Sequence, residues 1–264
     1  MSQRNKAVYV GLDIGSSRTK VAVIDAAGHL IGRAVKKSGT DFSSTAKVCL
    51  DAALQMADAA TDDVAGALST GYGRGNARFI TEENKTEIGC LAKAGYHYFP
   101  EPITIIDIGG QDNKIVKIDG SGQRTSFKMN RKCAAGTGAF LEEMASRLDV
   151  PLEEMNGIAR RSEHMIKLGS YCTVFSATEV LDNIRQGKNV ADIVKGVFHS
   201  VIKRVLEMDL LTEKVVMSGG VVANNPFIVD MTAELIQRPV FVSEYPQFVG
   251  AVGAALYARE AAGH

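Results

Sequence analysis

The chain has 264 residues, 45% of them hydrophobic, and carries 30 basic against 30 acidic side chains. That length can bury a full core in one or two domains, and zero net charge gives no support for nucleic-acid binding through a basic surface. The opening stretch MSQRNKAVYVGLDIG lacks an apolar core of signal-peptide length, and no run reaches the roughly 18 apolar residues a membrane helix needs, so a soluble cytoplasmic protein is expected.

Residues 8–35 read as an apolar strand, a D-I-G turn, a polar stretch with lysine, a second strand, a glycine turn and a third strand. Residues 103–127 repeat that order. Both copies hold D-I-G, a lysine seven residues after the aspartate (Lys20 and Lys114), and an aspartate near the second turn (Asp25 and Asp119). Such a repeat predicts two similar halves, each beginning with an antiparallel three-strand meander. After the first copy, 42–60 has helical periodicity, 64–71 reads as a buried strand and 84–98 as a helix. After the second, helices are expected at about 138–149, 151–161, 174–187 and 190–211, with Pro151 suited to a first helical position. A strand at 214–220 follows, then a helix begun by NNPF, a short strand at 240–243 and an Ala-rich helix from about 249. Meanders followed by β/α alternation, twice over, predict an α/β protein of two lobes, 1–102 and 103–264, the last helix (about 249–262) being able to pack back on the first lobe.

Each D-I-G puts a carboxylate at a strand end beside a turn whose glycines let backbone N–H groups approach a phosphate. Asp13 and Asp107 are expected to face each other across a cleft between the lobes and to hold a hydrated magnesium ion, which prefers carboxylate and phosphate oxygens and keeps several waters. GSSRTK adds the Ser16, Ser17 and Thr19 hydroxyls and the Lys20 ammonium as phosphate partners. Ser218, Gly219 and Gly220 form a third strand-to-helix loop where a flat ligand can lie on bare backbone. Any one glycine turn alone reads as an ordinary hairpin; three in this order do not.

Cysteines stand at 49, 90, 133 and 172 with no CxxC pair, which argues against a zinc ribbon or thioredoxin-type motif. A reducing compartment argues against a disulfide framework as well. Cys49 and Cys90 lie in Ala/Leu-rich helical patterns and read as packing residues. Cys133, after Arg131 and Lys132 and before AAGTGAFLE, and Cys172, before TVFSATEV, are expected close to helix N-termini, where dipole and amide groups favour a thiolate. On the residues alone, buried or redox thiols are the leading reading of this pair. The histidines at 29, 97, 164, 199 and 264 show no metal-ligand spacing.

GLDIGSSRTK, IDIGGQD and VVMSGGVVANN resemble the first phosphate, second phosphate and adenosine motifs of the actin, sugar kinase and heat-shock chaperone ATPase superfamily. Within it, STGYGR (69–74), IDIGGQDNK, MNRKCAAGTGAFLE, YCTVFSATEV and GAVGAALYA closely resemble the activator ATPases of 2-hydroxyacyl-CoA dehydratases, relatives of benzoyl-CoA reductase ATPase subunits. The resemblance implies a two-lobed actin-like fold (a duplicated ribonuclease H-like fold) with ATP or ADP and Mg2+ in the interlobe cleft. It also implies an oxygen-sensitive homodimer sharing one 4Fe-4S cluster, whose ligands here fall on Cys133 and Cys172 of each chain. Four thiolates from two chains need an isologous interface.

By the same resemblance a ferredoxin or flavodoxin supplies electrons, and the protein passes them singly to a 2-hydroxyacyl-CoA dehydratase while hydrolysing ATP. Asp13 and Asp107 bind magnesium through water and orient the attacking water; Ser16, Ser17, Arg18, Thr19 and Lys20, with Gly109, Gly110 and Gln111, hold phosphates. Gly219, Gly220 and Gln247 contact the nucleoside, Glu142 or Glu143 reaches the ribose, and Gly136 and Gly138 link the nucleotide to Cys133. TGYGR has no chemical role in this reading. The alternatives are an ATPase subunit of a benzoyl-CoA reductase-like complex, a small-molecule kinase and a non-enzymatic iron–sulfur sensor.

Overall fold

The computed structural model describes residues 7–169 and 172–263; Tyr171, which opens the YCTVFSATEV motif, lies outside the described residues, as do 1–6, 170 and 264. The chain divides into two units. The first runs to Pro102 and includes Ile118–Thr125 and everything from Gln247; the second holds Ile103–Lys117 and Ser126–Pro246.

In the first unit β1 (Val8–Ile14), β2 (Arg18–Ile24) and β3 (Leu30–Lys37) form an antiparallel meander. Helix α1 (Phe42–Met56) then carries the chain to β4 (Val64–Thr70), which pairs parallel to β1 and completes the order β3-β2-β1-β4. Period-two alternation sets the two faces of β1. Val8, Val10, Leu12 and Ile14 pack with Ala46, Cys49, Leu50, Ala53 and Leu54 of α1. Gly11 and Asp13 therefore face the other side, where α9 (Val249–Ala261) crosses so closely that a Cβ on Gly11 would stand 1.9 Å from the Ala251 carbonyl oxygen. Helix α2 (Glu87–Tyr98) packs against α9.

The second sheet repeats the plan with β5 (Ile103–Ile108), β6 (Asn113–Ile118), β7 (Arg124–Asn130), β8 (Lys214–Ser218) and β9 (Val240–Val242) in the order β7-β6-β5-β8-β9, β8 running parallel to β5 and β9 parallel to β8. Between β7 and β8 lie α3 (Gly138–Leu148), α4 (Met155–Arg160), α5 (Thr173–Arg185) and α6 (Val190–Leu206); α7 (Gly220–Asn224) and α8 (Phe227–Ile236) follow β8. Ile106 and Ile108 join the core built around Phe140, Met144 and Phe198. Asp107, out of phase with them, lies on the opposite face of the strand.

Element ends follow local chemistry. Asp41, Thr86 and Asn189 each accept a backbone N–H at the start of α1, α2 and α6. The Thr86 cap explains why the helix expected from 84 begins at Glu87. The helix expected to reach 60 stops at Met56 because Asp58 is left-handed (φ 51°) and Ala59 N–H turns back to the Leu54 carbonyl. The segment expected as one helix over 151–161 is a 3-10 turn at Leu152–Glu154 followed by α4. The helix expected to reach 211 ends at Leu206, and α7 has no counterpart in the sequence expectation.

Candidate functional site

At the C-terminal end of β1, Lys20 Nζ lies 3.0 Å from Asp13 Oδ2, directly across the β1–β2 pair. The turn between them is closed by Gly15 N–H donating to Arg18 O at 3.2 Å, which leaves Ser16, Ser17 and Arg18 half-exposed at its tip. Thr19 is different. Its side chain is fully buried and its hydroxyl sits 3.0 Å from that of Ser38, which donates to Gly15 O at 2.6 Å. This corrects the expectation of a Thr19–phosphate contact: Thr19 and Ser38 brace the turn from behind. The start of α9 adjoins the carboxylate, a Cβ on Gly250 lying 3.3 Å from Asp13 Oδ2, so the positive end of the helix supports the negative charge.

The second sheet presents the same device. Lys114 Nζ lies 3.5 Å from Asp107 Oδ2 and 2.7 Å from Asp112 Oδ1, with only 4% of its side chain exposed. Ser218 donates to Asp107 Oδ1 at 2.8 Å from the neighbouring strand. Gly109 N–H closes the turn onto Asp112 O at 2.9 Å, leaving Gly109 and Gly110 half-exposed and Gln111 exposed. The copies differ in charge: Asp112 occupies the turn position that Arg18 holds in the first.

This second turn is tied to α3. Gly138 N–H donates to Gly109 O at 2.9 Å and Ala139 N–H to Gly110 O at 2.7 Å. The buried Asn113 side chain, at the turn's end, donates to Gly136 O at 2.9 Å, and Asn130 donates to Cys133 O at 3.0 Å. The first α3 amides are therefore committed to the turn, and Cys133 lies in the loop before Thr137, the N-cap of α3. That corrects the expectation that α3 amides support the Cys133 thiolate. Cys172 is itself the N-cap of α5, with the α5 amides ahead of it. Both thiols are exposed, as are Val174 and Phe175 beside Cys172 (70% and 65%).

Cys49 and Cys90 are buried, and burial pushes their thiols up to about 11 and about 12. Glu142 is exposed on α3, and Glu143 bonds Arg147 at 2.8 Å. Gly219, in a positive-φ conformation (101°), donates to Pro246 O at 2.9 Å and precedes Gly220, the first residue of α7. Gln247 stands half-buried in the 3-10 turn before α9. Asp112, Asn113 and Ser38 escaped the sequence reading. For Asp112 and Asn113 the signal was their place in the repeated turn; Ser38 had none, since it reaches the turn from a distant strand end. Among the described residues no three His, Cys, Asp or Glu side chains gather into a metal-binding group, and no helix is long and apolar enough to cross a membrane.

A meander with a parallel crossover strand, built twice and presenting an Asp–Lys pair and a glycine turn each time, defines the two-lobed actin-like ATPase class. The chain belongs to the BadF/BadG/BcrA/BcrD ATPase family, which it matches over residues 10–258. It is 38% identical to the 2-hydroxyisocaproyl-CoA dehydratase activator of Clostridioides difficile, across 96% of this chain and 95% of that one. It is 39% identical to the activator of lactoyl-CoA dehydratase of Anaerotignum propionicum, across 96% and 98%. The crystal structure of component A of the Acidaminococcus fermentans (R)-2-hydroxyglutaryl-CoA dehydratase superposes with a TM-score of 0.92 at 33% identity, covering 97% of this chain and 99% of that one.

Proposed function

We propose that this protein is an ATP-hydrolysing activator that delivers single electrons to a 2-hydroxyacyl-CoA dehydratase, receiving them from a ferredoxin or flavodoxin. The observation that carries the reading is the pair of exposed thiols, Cys133 in the loop bonded to the second glycine turn and Cys172 at the N-cap of α5; a phosphotransferase has no use for them. The activators named above supply the reaction class.

Asp13 and Asp107 carry the magnesium role. Each is a carboxylate beside a lysine at the mouth of a glycine turn, a donor set suited to a hydrated Mg2+ with phosphate. Ser16, Ser17, Arg18 and Lys20, with Gly109, Gly110 and Gln111, bind phosphate; Gly219, Gly220 and Gln247 meet the nucleoside, and Glu142 the ribose. Thr19 supports the first turn. The two thiols fit a 4Fe-4S cluster only when two chains pair, because a cubane takes four thiolates and no further His, Cys, Asp or Glu joins them in a described group. Val174 and Phe175 give such a homodimer apolar surface beside Cys172. A cluster bound there supplies low-potential one-electron chemistry. The chain's own part is mechanical: the hydrogen bonds from Gly138, Ala139 and Asn113 join the phosphate turn to the Cys133 loop, so a displacement of the turn is passed to that loop.

Anaerobic purification with iron and sulfide counted per dimer tests the assignment, repeated for Cys133→Ser and Cys172→Ser. Four irons per dimer in the parent and loss of the cluster in both variants is the expected result. A full cluster in either variant, or none in the parent with ATP turnover intact, overturns it.

A further inference from the structure

The T-G-Y-G-R segment (70–74) falls at the end of β4, the strand that pairs parallel to β1 as β8 pairs parallel to β5. The registers match. Thr70 stands opposite Asp13, and Ser218 stands opposite Asp107. The next residue is a glycine in both copies, Gly71 with φ 93° and Gly219 with φ 101°. Each presses on the residue after the aspartate: a Cβ on Gly71 would lie 2.5 Å from Ile14 O, and one on Gly219 would lie 2.3 Å from Ile108 O. T-G-Y-G-R is thus the first-half copy of the S-G-G loop, a third repeated element that the spacing of the D-I-G motifs alone does not reveal.

The copies diverge at the aspartate. Ser218 holds Asp107 Oδ1 by a 2.8 Å hydrogen bond. The buried Thr70 hydroxyl makes no such bond, and Gly71 lies so near the carboxylate that a Cβ there would stand 2.8 Å from Asp13 Oδ1. Gly73 N–H donates to Ile14 O at 2.8 Å, and a Cβ on Gly73 would lie 2.7 Å from Ile14 Cγ2. Arg74 Nη1 donates back to Gly71 O at 3.3 Å, and the Ser69 hydroxyl to Arg74 O at 3.0 Å, which closes the loop on itself. Lys20 holds the other carboxylate oxygen, so Asp13 has a cation on one side and, on the other, a glycine that leaves no room for a side chain.

We propose that the T-G-Y-G-R loop is the positioning element for Asp13, with Gly71 setting the carboxylate orientation that ATP hydrolysis requires and Arg74 holding Gly71 in place. Misplacement of a reacting group by a fraction of an ångström to an ångström lowers rate far more than binding. The inference rests on the reading of Asp13 as a magnesium-side group.

The test measures steady-state ATP hydrolysis by the purified protein against Mg2+ concentration, with ADP affinity measured separately in EDTA, for Gly71→Ala, Arg74→Ala, Gly75→Ala and Asp13→Asn. Gly71→Ala is expected to lower kcat about tenfold or more and to raise the Mg2+ half-saturation, with ADP affinity in EDTA held within about twofold. Arg74→Ala moves the same two quantities less far. Gly75, in the same loop with nothing within 4 Å of a Cβ, should tolerate alanine with parent kinetics. A merely structural loop would change the melting temperature and the active fraction and leave Mg2+ half-saturation alone. If Gly71→Ala fails to fold, Arg74→Ala decides by the same criterion. Parent kcat and Mg2+ dependence in the folded loop variants, with Asp13→Asn inactive, overturns the loop assignment. Full activity in Asp13→Asn overturns the Asp13 reading beneath it.

Discussion

Gly138→Ala probes the link between the phosphate turn and the Cys133 loop with a single methyl group. A Cβ at 138 would stand 3.1 Å from Gly110 Cα, 3.3 Å from Val221 Cγ2 and 3.4 Å from Gly109 O. Carbon atoms settle at roughly 3.5–4.0 Å, so α3 and the turn must part by about half an ångström. That opening stretches the Gly138 N–H to Gly109 O and Ala139 N–H to Gly110 O bonds, each worth about 0.5–1.5 kcal/mol net. Gly138 is the first residue of α3, so the strain is confined to the helix end and Tm should move by only a few degrees. The coupling takes the full loss: about 1–2 kcal/mol corresponds to roughly 5- to 30-fold. Phosphate release and dehydratase turnover, followed together under anaerobic conditions, should show at least about a fivefold rise in ATP consumed per electron delivered, with iron content unchanged. An unchanged ratio in a folded, iron-loaded variant would refute the idea that these hydrogen bonds transmit nucleotide state to Cys133.

The thiols should separate sharply in reactivity. Cys49 and Cys90, pushed up to about 11 and about 12, stay protonated in the folded protein and should resist alkylation at pH 8, whereas exposed Cys133 and Cys172 should be labelled in chelator-treated protein; labelling followed by peptide mass analysis reads this directly. Because both buried thiols have folded-state values above the unfolded 9.0, their contribution to stability is complete below pH 9 and is lost as pH rises toward 11 and 12, so Tm should fall on that alkaline side. Lys114→Met should be the costlier of the two lysine deletions. It leaves Asp107 and Asp112 without the cation between them, at about 3–5 kcal/mol for a buried pair, whereas Lys20 and Asp13 are more exposed and should lose less; urea melts of the two variants compare them.

Much of the architecture was legible because the signals were local. The D-I-G and lysine spacing marked two meanders and put Asp13 and Asp107 at strand ends, while the structure showed them on the face opposite Ile14 and Ile108. The starts of α1 and α6, behind Asp41 and Asn189, fell where expected, whereas the Thr86 cap starts α2 three residues after the expected 84. The ends were less legible: α1 stops at a left-handed Asp58 that is no glycine, and the five-residue α7 follows Gly219, which bonds the distant Pro246 carbonyl, so neither leaves a trace in periodicity.

The duplicated plan and the seven-residue spacing of each aspartate and lysine are legible as residue types at short fixed separations, whereas the exposure of Cys133 and Cys172 is not, since the residues alone favour buried or redox thiols. Which groups those residues meet depends on segments that folding brings together. Folding turned the Thr19 hydroxyl inward to Ser38, committed the α3 amides to the carbonyls of Gly109 and Gly110, and laid T-G-Y-G-R against Asp13. Each is a contact between segments separated by about 20 or more residues, where backbone donors and acceptors must be satisfied by whatever the sheet register brings alongside.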